Sequence, residues 1–374
     1  MFMLITRKVY EKLYRLRRFP ISGLLVVSVL SLTSRINPAI GQSSAKDQIA
    51  SEIQRFEQSP AAKTADASDD LAALRQSRST LESGLIFASL YQLKSPFTDL
   101  AMQQYLGSKS DVKEMDAFEK EWRRIGAELT TEESALTDAK LRALPSAVRA
   151  IVESNQLQSR TLYEAGHLYG RETGVPNGLA YNGLAKGLMD FAVWAAELKF
   201  PSSPGSPAPS ARNGISELEK EVLQAYNKPG AAEQQGRFNQ INSTLKFAAE
   251  LDHAGKNDGA LQQLLSASLT FGGLSAAAAG QNDAGELQKQ LLKFKGRFAE
   301  NSSDPSIGEM YWEILTASAS SKTPATGAKR AAIIVDDVLP RYFRATTPGE
   351  SATATAVAPT GAKVTITLVR WPYT

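Results

Sequence analysis

The sequence predicts an all-α fold: antiparallel helical hairpins, as a bundle or a short α-solenoid, with a small C-terminal β-hairpin. Three observations carry this. Apolar residues recur at helical spacing through most of the chain. The stretch from Thr161 to Phe200 reads as two helices joined at Gly174-Val175-Pro176-Asn177, the second apolar nearly all round. From Ser351 onward the pattern changes, and KVTITLVRW alternates as a strand does. A helix apolar on every side is buried among other helices, so 161–200 organises the rest. In that turn Gly174 supplies the left-handed residue, and Asn177 is placed to cap the second helix.

Residues 1–41 stand apart from the fold. Arg7, Lys8, Lys12, Arg15, Arg17 and Arg18 form a basic segment with the single acid Glu11. Ile21 to Leu32 is apolar but too short to span a bilayer comfortably. Ala39-Ile40-Gly41 then has the small residues that a signal peptidase reads, so 1–41 is expected to be a signal peptide; the alternative is an uncleaved N-terminal anchor. The chain has 42 basic and 39 acidic residues. Without residues 1–41 there remain 35 bases against 38 acids, a net charge of about −3. The basic excess belongs to the targeting segment and gives no support to nucleic-acid binding. With no cysteine, disulfides, thiol catalysis and thiolate metal sites are excluded. For an exported chain of this size that points to a bacterial periplasmic or secreted protein.

The elements follow in order, as an N-terminal helical region over 42–200. A loosely held first helix is expected around Ile49, Ile53 and Phe56. Asp69 or Asp70 opens a long helix with Leu71, Leu74, Leu81 and Leu85 on one face, ending before Pro96. A short helix over Phe97 to Leu106 stops at Gly107. Asp111 and Glu114 read as a capping pair for a helix with Met115, Phe118, Trp122 and Ile125 inward. Its run Glu119-Lys120-Glu121 with Arg123-Arg124 reads as a solvated face. Thr130-Thr131-Glu132-Glu133 reads as another cap, opening a short helix through Leu136 and Leu141. Pro145 starts a long helix to about Glu172, whose stripe of Val148, Val152, Leu162 and Tyr169 is interrupted by Asn155 and Ser159.

Residues 201–212, PSSPGSPAPSAR, are the clearest break in composition and read as a linker or a long exposed loop. A C-terminal helical region over 213–345 follows. Ser216 and Glu219 read as a capping box for a helix with Ile215, Leu218, Val222 and Tyr226, closed by Pro229-Gly230. Ala254-Gly255-Lys256-Asn257-Asp258 recurs 25 residues later as Ala279-Gly280-Gln281-Asn282-Asp283. Each copy supplies a turn glycine and an Asn or Asp cap, which predicts antiparallel helices over about 231–254, 258–279 and 283–299. Asp304-Pro305 opens a helix with Ile307, Met310, Ile314 and Ala317 inward. A last helix covers about 325–344, with Ile333-Ile334-Val335 as a possible strand. Residues 346–374 hold a linker and the β-hairpin tail, or a disordered linker in its place.

Ala248, Leu251, Gly255, Ala260, Leu264 and Ala267 have the small, large and turn residues of a tetratricopeptide-repeat hairpin in order and spacing, and the segment resembles that family. Leu162, Ala165, Gly166 and Tyr169 match its first half, and Ala180, Leu184 and Gly187 its second if the turn is two residues longer. The family's signature Trp and terminal Pro are absent, and 25 residues is one helix rather than the family's pair. The resemblance implies a stacked-helix scaffold that binds peptides or proteins.

No stretch has the spacing of a serine-hydrolase elbow, a phosphate loop or a dinucleotide fingerprint. Gly178, Gly183 and Gly187 read as packing positions within a helix. His167 and His253 lie on different hairpins with no zinc spacing, so no metal and no cofactor are expected. Tyr163, His167 and Arg171 share one face of a helix; this is either a half-buried helix face or a groove, with Tyr181 as a fourth member. The acid pairs Asp69-Asp70, Glu132-Glu133 and Asp336-Asp337 lie on single helices, where neighbours point apart rather than across a cleft. The expectation is an exported non-catalytic scaffold or protein- or peptide-binding module of the bacterial cell envelope. The partner is a protein or peptide, not nucleic acid. The alternative is an envelope hydrolase, for example one acting on glycan, with a scattered carboxylate site.

Overall fold

The computed structural model describes residues 44–63, 67–200, 206–275, 293–298, 304–319 and 330–346. Among them the regular structure is helical. In chain order these are α1 (Ala45–Glu57), α2 (Ser68–Glu82), α3 (Ile86–Ser108), α4 (Met115–Ala135), α5 (Asp138–Arg142) and α6 (Ser146–Thr173). Then come α7 (Val175–Ala195), α8 (Arg212–Tyr226), α9 (Gln235–His253), α10 (Asn257–Ser275), α11 (Ser306–Ala319) and α12 (Leu339–Thr346). A π-helical turn, Ile334–Val338, leads into α12.

The expected hairpin is the spine. From Ser146 to Ser159 α6 is buried on nearly every side, and α7 is buried along almost its whole length. The turn between them is shorter than the sequence suggests. Gly174, at φ 105°, is the single residue outside helix. Pro176 falls in the first turn of α7, where its missing N–H has no partner to lose. Asn177 therefore lies inside the helix and does not cap it; its Nδ2 donates to the Thr173 carbonyl at 3.2 Å and to Thr173 Oγ1 at 2.7 Å. Helix α3 crosses α7 where the glycines permit. A Cβ at Gly187 would lie 3.1 Å from the Thr98 carbonyl oxygen and 3.2 Å from Ala101 Cβ.

Several boundaries differ from the sequence reading. Helix α1 is not loosely held, because Ile49 and Ile53 are fully buried and Phe56 packs on Phe97 at 4.7 Å. The long helix expected to end before Pro96 breaks instead at Gly84, and α3 runs through Pro96 to Ser108. Buried Leu93, Phe97 and Leu100 on that turn outweigh the lost hydrogen bond. Thr130 and Thr131 open no helix; their hydroxyls bond back to the Gly126 and Ala127 carbonyls inside α4. Glu121 is buried rather than solvated, accepting from the Tyr105 hydroxyl at 2.9 Å and from Arg124. Ile333, Ile334 and Val335 are helical or π-helical, not a strand.

Two apolar cores result. The larger combines α1–α7 with α11, the π turn and α12; the smaller joins α8, α9 and α10. Helix α10 separates them, with Leu261 and Leu265 in the first and Ala260, Leu264 and Ala267 in the second. The expected signal segment 1–41, the second repeat copy 279–283 and the hairpin tail beyond Thr346 lie outside the described residues. So does the predicted helix 283–299, except for 293–298.

Candidate functional site

The structure brings three of the four sequence-predicted site residues together, covering Tyr163 and half-covering His167 while Arg171 stays exposed. Trp122 of α4 lies on α6, stacked on Tyr163 at 4.8 Å and on His167 at 4.1 Å. Its Nε1 donates to the Tyr163 carbonyl at 3.3 Å. One turn earlier Glu119 accepts from His167 Nε2 at 3.0 Å and from Arg171 Nε at 2.9 Å. Burial alone would raise the Glu119 carboxyl pKa; the hydrogen bonds from His167 and Arg171 outweigh it, and the net shift is downward. Tyr181 does not join this group. It is buried on α7 and stacked on Tyr169 at 4.8 Å. On this face α4 covers Tyr163 and part of His167, and Arg171 remains exposed at its edge.

The densest buried polar cluster lies elsewhere, where α6 meets α10. Arg149 Nε donates to Asp258 Oδ2, and Arg149 Nη2 donates to Ser146 Oγ at 2.9 Å. The Arg149 and Asp258 side chains are only 3% and 1% exposed. One turn along α6, Glu153 Oε2 accepts the Gly259 N–H at 2.7 Å. Ser154 donates to Gln262 at 2.9 Å, and Lys256 donates to Gln156 at 3.0 Å. Residues 206–211 form a strap over this seam. The Ala208 N–H donates to Asp258 Oδ1 at 3.1 Å, Asn257 Nδ2 donates to the Ala208 carbonyl at 3.0 Å, and the Ala211 N–H donates to Asp252 at 2.7 Å. The described half of the Pro/Ser-rich stretch is thus tied down at Ala208 and at Ser210 and Ala211.

Burial pushes the Glu153 carboxyl up to about 7, and the nearby Asp258 charge adds to it; the Gly259 N–H, Arg149 and Lys256 act against. Burial raises Asp258 too, opposed by Arg149 and the Ala208 N–H. Asp258 is paired with the Arg149 guanidinium, whereas Glu153 feels that charge without contacting it, so Glu153 is the harder of the two to ionise.

The same device recurs at other helix starts. Asp304 accepts the Ser146 N–H of α6 at 2.6 Å and the Ser306 N–H of α11 at 2.9 Å. Glu313 of α11 accepts the Ala88 N–H of α3 at 2.8 Å, and burial lifts its carboxyl to about 7. Asp252 serves α8 and Glu153 serves α10. Helix N-termini carry unpaired N–H groups and partial positive charge, and here carboxylates from other helices, or from the loop before α11, satisfy them.

The sequence reading did not single out Arg149 or Glu153, and it assigned Asp258 and Asp304 to local caps; Asp304 does accept the Ser306 N–H at the start of α11, and its bond to the Ser146 N–H of α6 was not foreseen. The available signal was the density of polar groups in a helix flanked by apolar turns: Arg149, Glu153, Ser154, Asn155, Gln156, Gln158 and Ser159. Among the described residues no group of three or more His, Asp or Glu side chains could hold a metal ion. A depression of about 370 Å³ opens between α1 and the end of α7, beside Asp47, Glu52, Trp194 and Glu197. Its acids are engaged with Ser44, Arg55 and Lys140. No described helix is long and apolar enough to cross a membrane. Neither protein-family models, curated proteins nor solved structures give a match to this chain.

Proposed function

We propose that this chain is an exported, non-catalytic helical scaffold of the bacterial cell envelope that binds a protein or peptide partner. The observation that carries the reading is the engagement of the buried and half-buried carboxylates. Glu153, Asp258, Asp304 and Glu313 each hold a backbone N–H of another segment, and Asp258 also holds Arg149. A glycan hydrolase needs two carboxylates facing substrate across a cleft; Glu153, Asp304 and Glu313 face helix starts, and Asp258 faces Arg149 and the strap. The basic and apolar leader and the absence of cysteine support export into a bacterial envelope. The hairpin spacing shared with tetratricopeptide repeats supports a binding scaffold. In the same reading, the alternating tail at 346–374 forms a hairpin that attaches to the body or to the partner, because two strands alone are marginal in water.

The test pairs an activity with a capture. Mature protein is incubated with envelope glycan, and release of reducing ends is followed for wild type and Glu153→Gln. It is also used to capture partners from envelope extract, intact and truncated after Gly349. The scaffold reading expects no turnover by either form and a specific protein partner. Turnover lost in Glu153→Gln establishes the hydrolase instead, and absence of any partner refutes the binding module. Unchanged stability and unchanged capture after truncation refute the attachment of the tail.

A further inference from the structure

We propose that the contact between α6 and α10 is a proton-controlled latch, closed while Glu153 carries a proton and loosened when that proton leaves to water. The geometry carries this. The Glu153 carboxylate is buried against the first turn of α10, where a Cβ at Gly259 would lie 3.0 Å from Glu153 Cβ and 3.2 Å from Oε2. Glu153 is only 6% exposed, so its carboxylate gives up most of its hydration at this contact. The charged groups around it come from every packed element. Helix α6 brings Arg149, which is committed to Asp258. Helix α10 brings Asp258 and Lys256, the latter donating to Gln156. The end of α9 brings Asp252, held by Ser210 and the Ala211 N–H, and the exposed His253. The start of α11 brings Asp304, engaged by Ser146 and Ser306. The strap 206–211 has no titratable side chain. When both carboxylates are ionised, the second negative charge has no cation in contact.

The sign follows from the raised carboxyl. With the closed-state value at about 7 and the open-state value at the ordinary 4.5, the latch is tightest below pH 4.5. It weakens as the pH rises to about 7 and is level beyond. Between pH 5.5 and 8.5 the opening equilibrium rises about 30-fold by linkage. Opening releases the first turn of α10 and the strap together, because Asp258 and Asn257 hold Ala208.

Hydrogen exchange on the full mature chain, corrected for the intrinsic effect of pH, tests this. Protection over 257–265 should fall about 30-fold from pH 5.5 to 8.5, while 184–195 in α7 changes little. Glu153→Gln keeps a neutral acceptor for Gly259 and should hold its protection at both pH values. Equal wild-type protection over 257–265 at the two pH values overturns the proposal. So does a parallel fall at 184–195, or a Glu153→Gln protein that loosens as wild type does. If that variant does not fold, the contrast between the two wild-type segments still decides.

Discussion

Alanine at position 178 tests whether α4, α6 and α7 meet as closely as the structure shows. The Phe118 ring of α4 is fully buried in a slot whose walls are glycines. A Cβ at Gly178 would lie 2.5 Å from Phe118 Cζ, 2.6 Å from Cε2 and 2.7 Å from the Gly170 Cα. Carbon atoms rest at about 3.5–4.0 Å, so each overlap is roughly 1 Å. The ring has no retreat towards α6, because a Cβ at Gly170 would already lie 2.5 Å from it. The third overlap is with backbone and no rotamer relieves it. Replacing Gly by Ala within a helix gains about 1 kcal/mol in propensity. Overpacking costs about 1–3 kcal/mol, and three overlaps place this site at the upper end. The net loss is about 2 kcal/mol, or roughly a 3 °C fall in Tm for a chain of about 330 residues. Urea unfolding and calorimetry read it. Gly107→Ala, where no heavy atom lies within 4 Å of the new methyl, is the control and should be neutral or gain up to about 1 kcal/mol. If Gly178→Ala matches that control, the slot is wider than drawn and α6 and α7 do not pack through their glycines.

The other predictions concern the borrowed caps and the leader. Asp304→Ala leaves two helix starts uncapped and should cost about 1–3 kcal/mol, with Asp304→Asn intermediate because one acceptor oxygen remains; urea unfolding of both variants checks it. Glu313 has its carboxyl raised to about 7, so its contribution is full below about pH 4.5 and lost as the pH rises through 7. Glu313→Gln should remove about 1–3 kcal/mol of that decline, measured as Tm from pH 5 to 8; an unchanged slope refutes the assignment. Intact mass of the exported protein should show residues 1–41 gone, and a product retaining Met1 makes the leader an anchor.

What the sequence showed and what it concealed divide along one physical line. Local information was legible. Gly174 at the turn, Pro145 at the head of α6, and the apolar rows Phe118 and Ile125 of α4 and Ile215, Leu218 and Val222 of α8 all follow from spacing and backbone chemistry. The caps were not. Asp111 with Glu114, and Ser216 with Glu219, have the local signature, yet neither helix start uses it; α8 begins at Arg212 and Ser216 lies a full turn inside. At several helix starts the acceptor comes instead from far away in sequence: Asp252 to Ala211 at α8, Glu313 to Ala88, Asp304 to Ser146, Glu153 to Gly259. A local pattern has no access to such partners. Pro96 was misread for a related reason, since burial of Leu93, Phe97 and Leu100 decides that turn. The candidate site followed the same rule. Tyr163, His167 and Arg171 share a face as their spacing requires; that Trp122 and Glu119 of another helix partly cover it is tertiary information.

The borrowed caps also bear on how the chain divides. Composition suggests a boundary at 201–212 between two helical regions. The acceptors run across it in both directions. Helix α3 takes its cap from α11 and α6 takes its cap from Asp304, so the first region depends on the second. Helix α10 takes its cap from α6, so the second depends on the first. The cores agree: Leu261, Met310, Tyr311 and Leu339 belong to the same cluster as Leu90, Ile151 and Phe191. An uncapped helix start costs about 1 kcal/mol, and exposing one large core side chain costs about 1.5–3 kcal/mol. Cutting at the linker would impose several of each on both halves, against a total stability of only about 5–15 kcal/mol. The Pro/Ser-rich stretch therefore joins parts of one folding unit. Its described half closes that unit, because the atoms of Ala208 and Ala211 are held by the same acidic seam that caps α8 and α10.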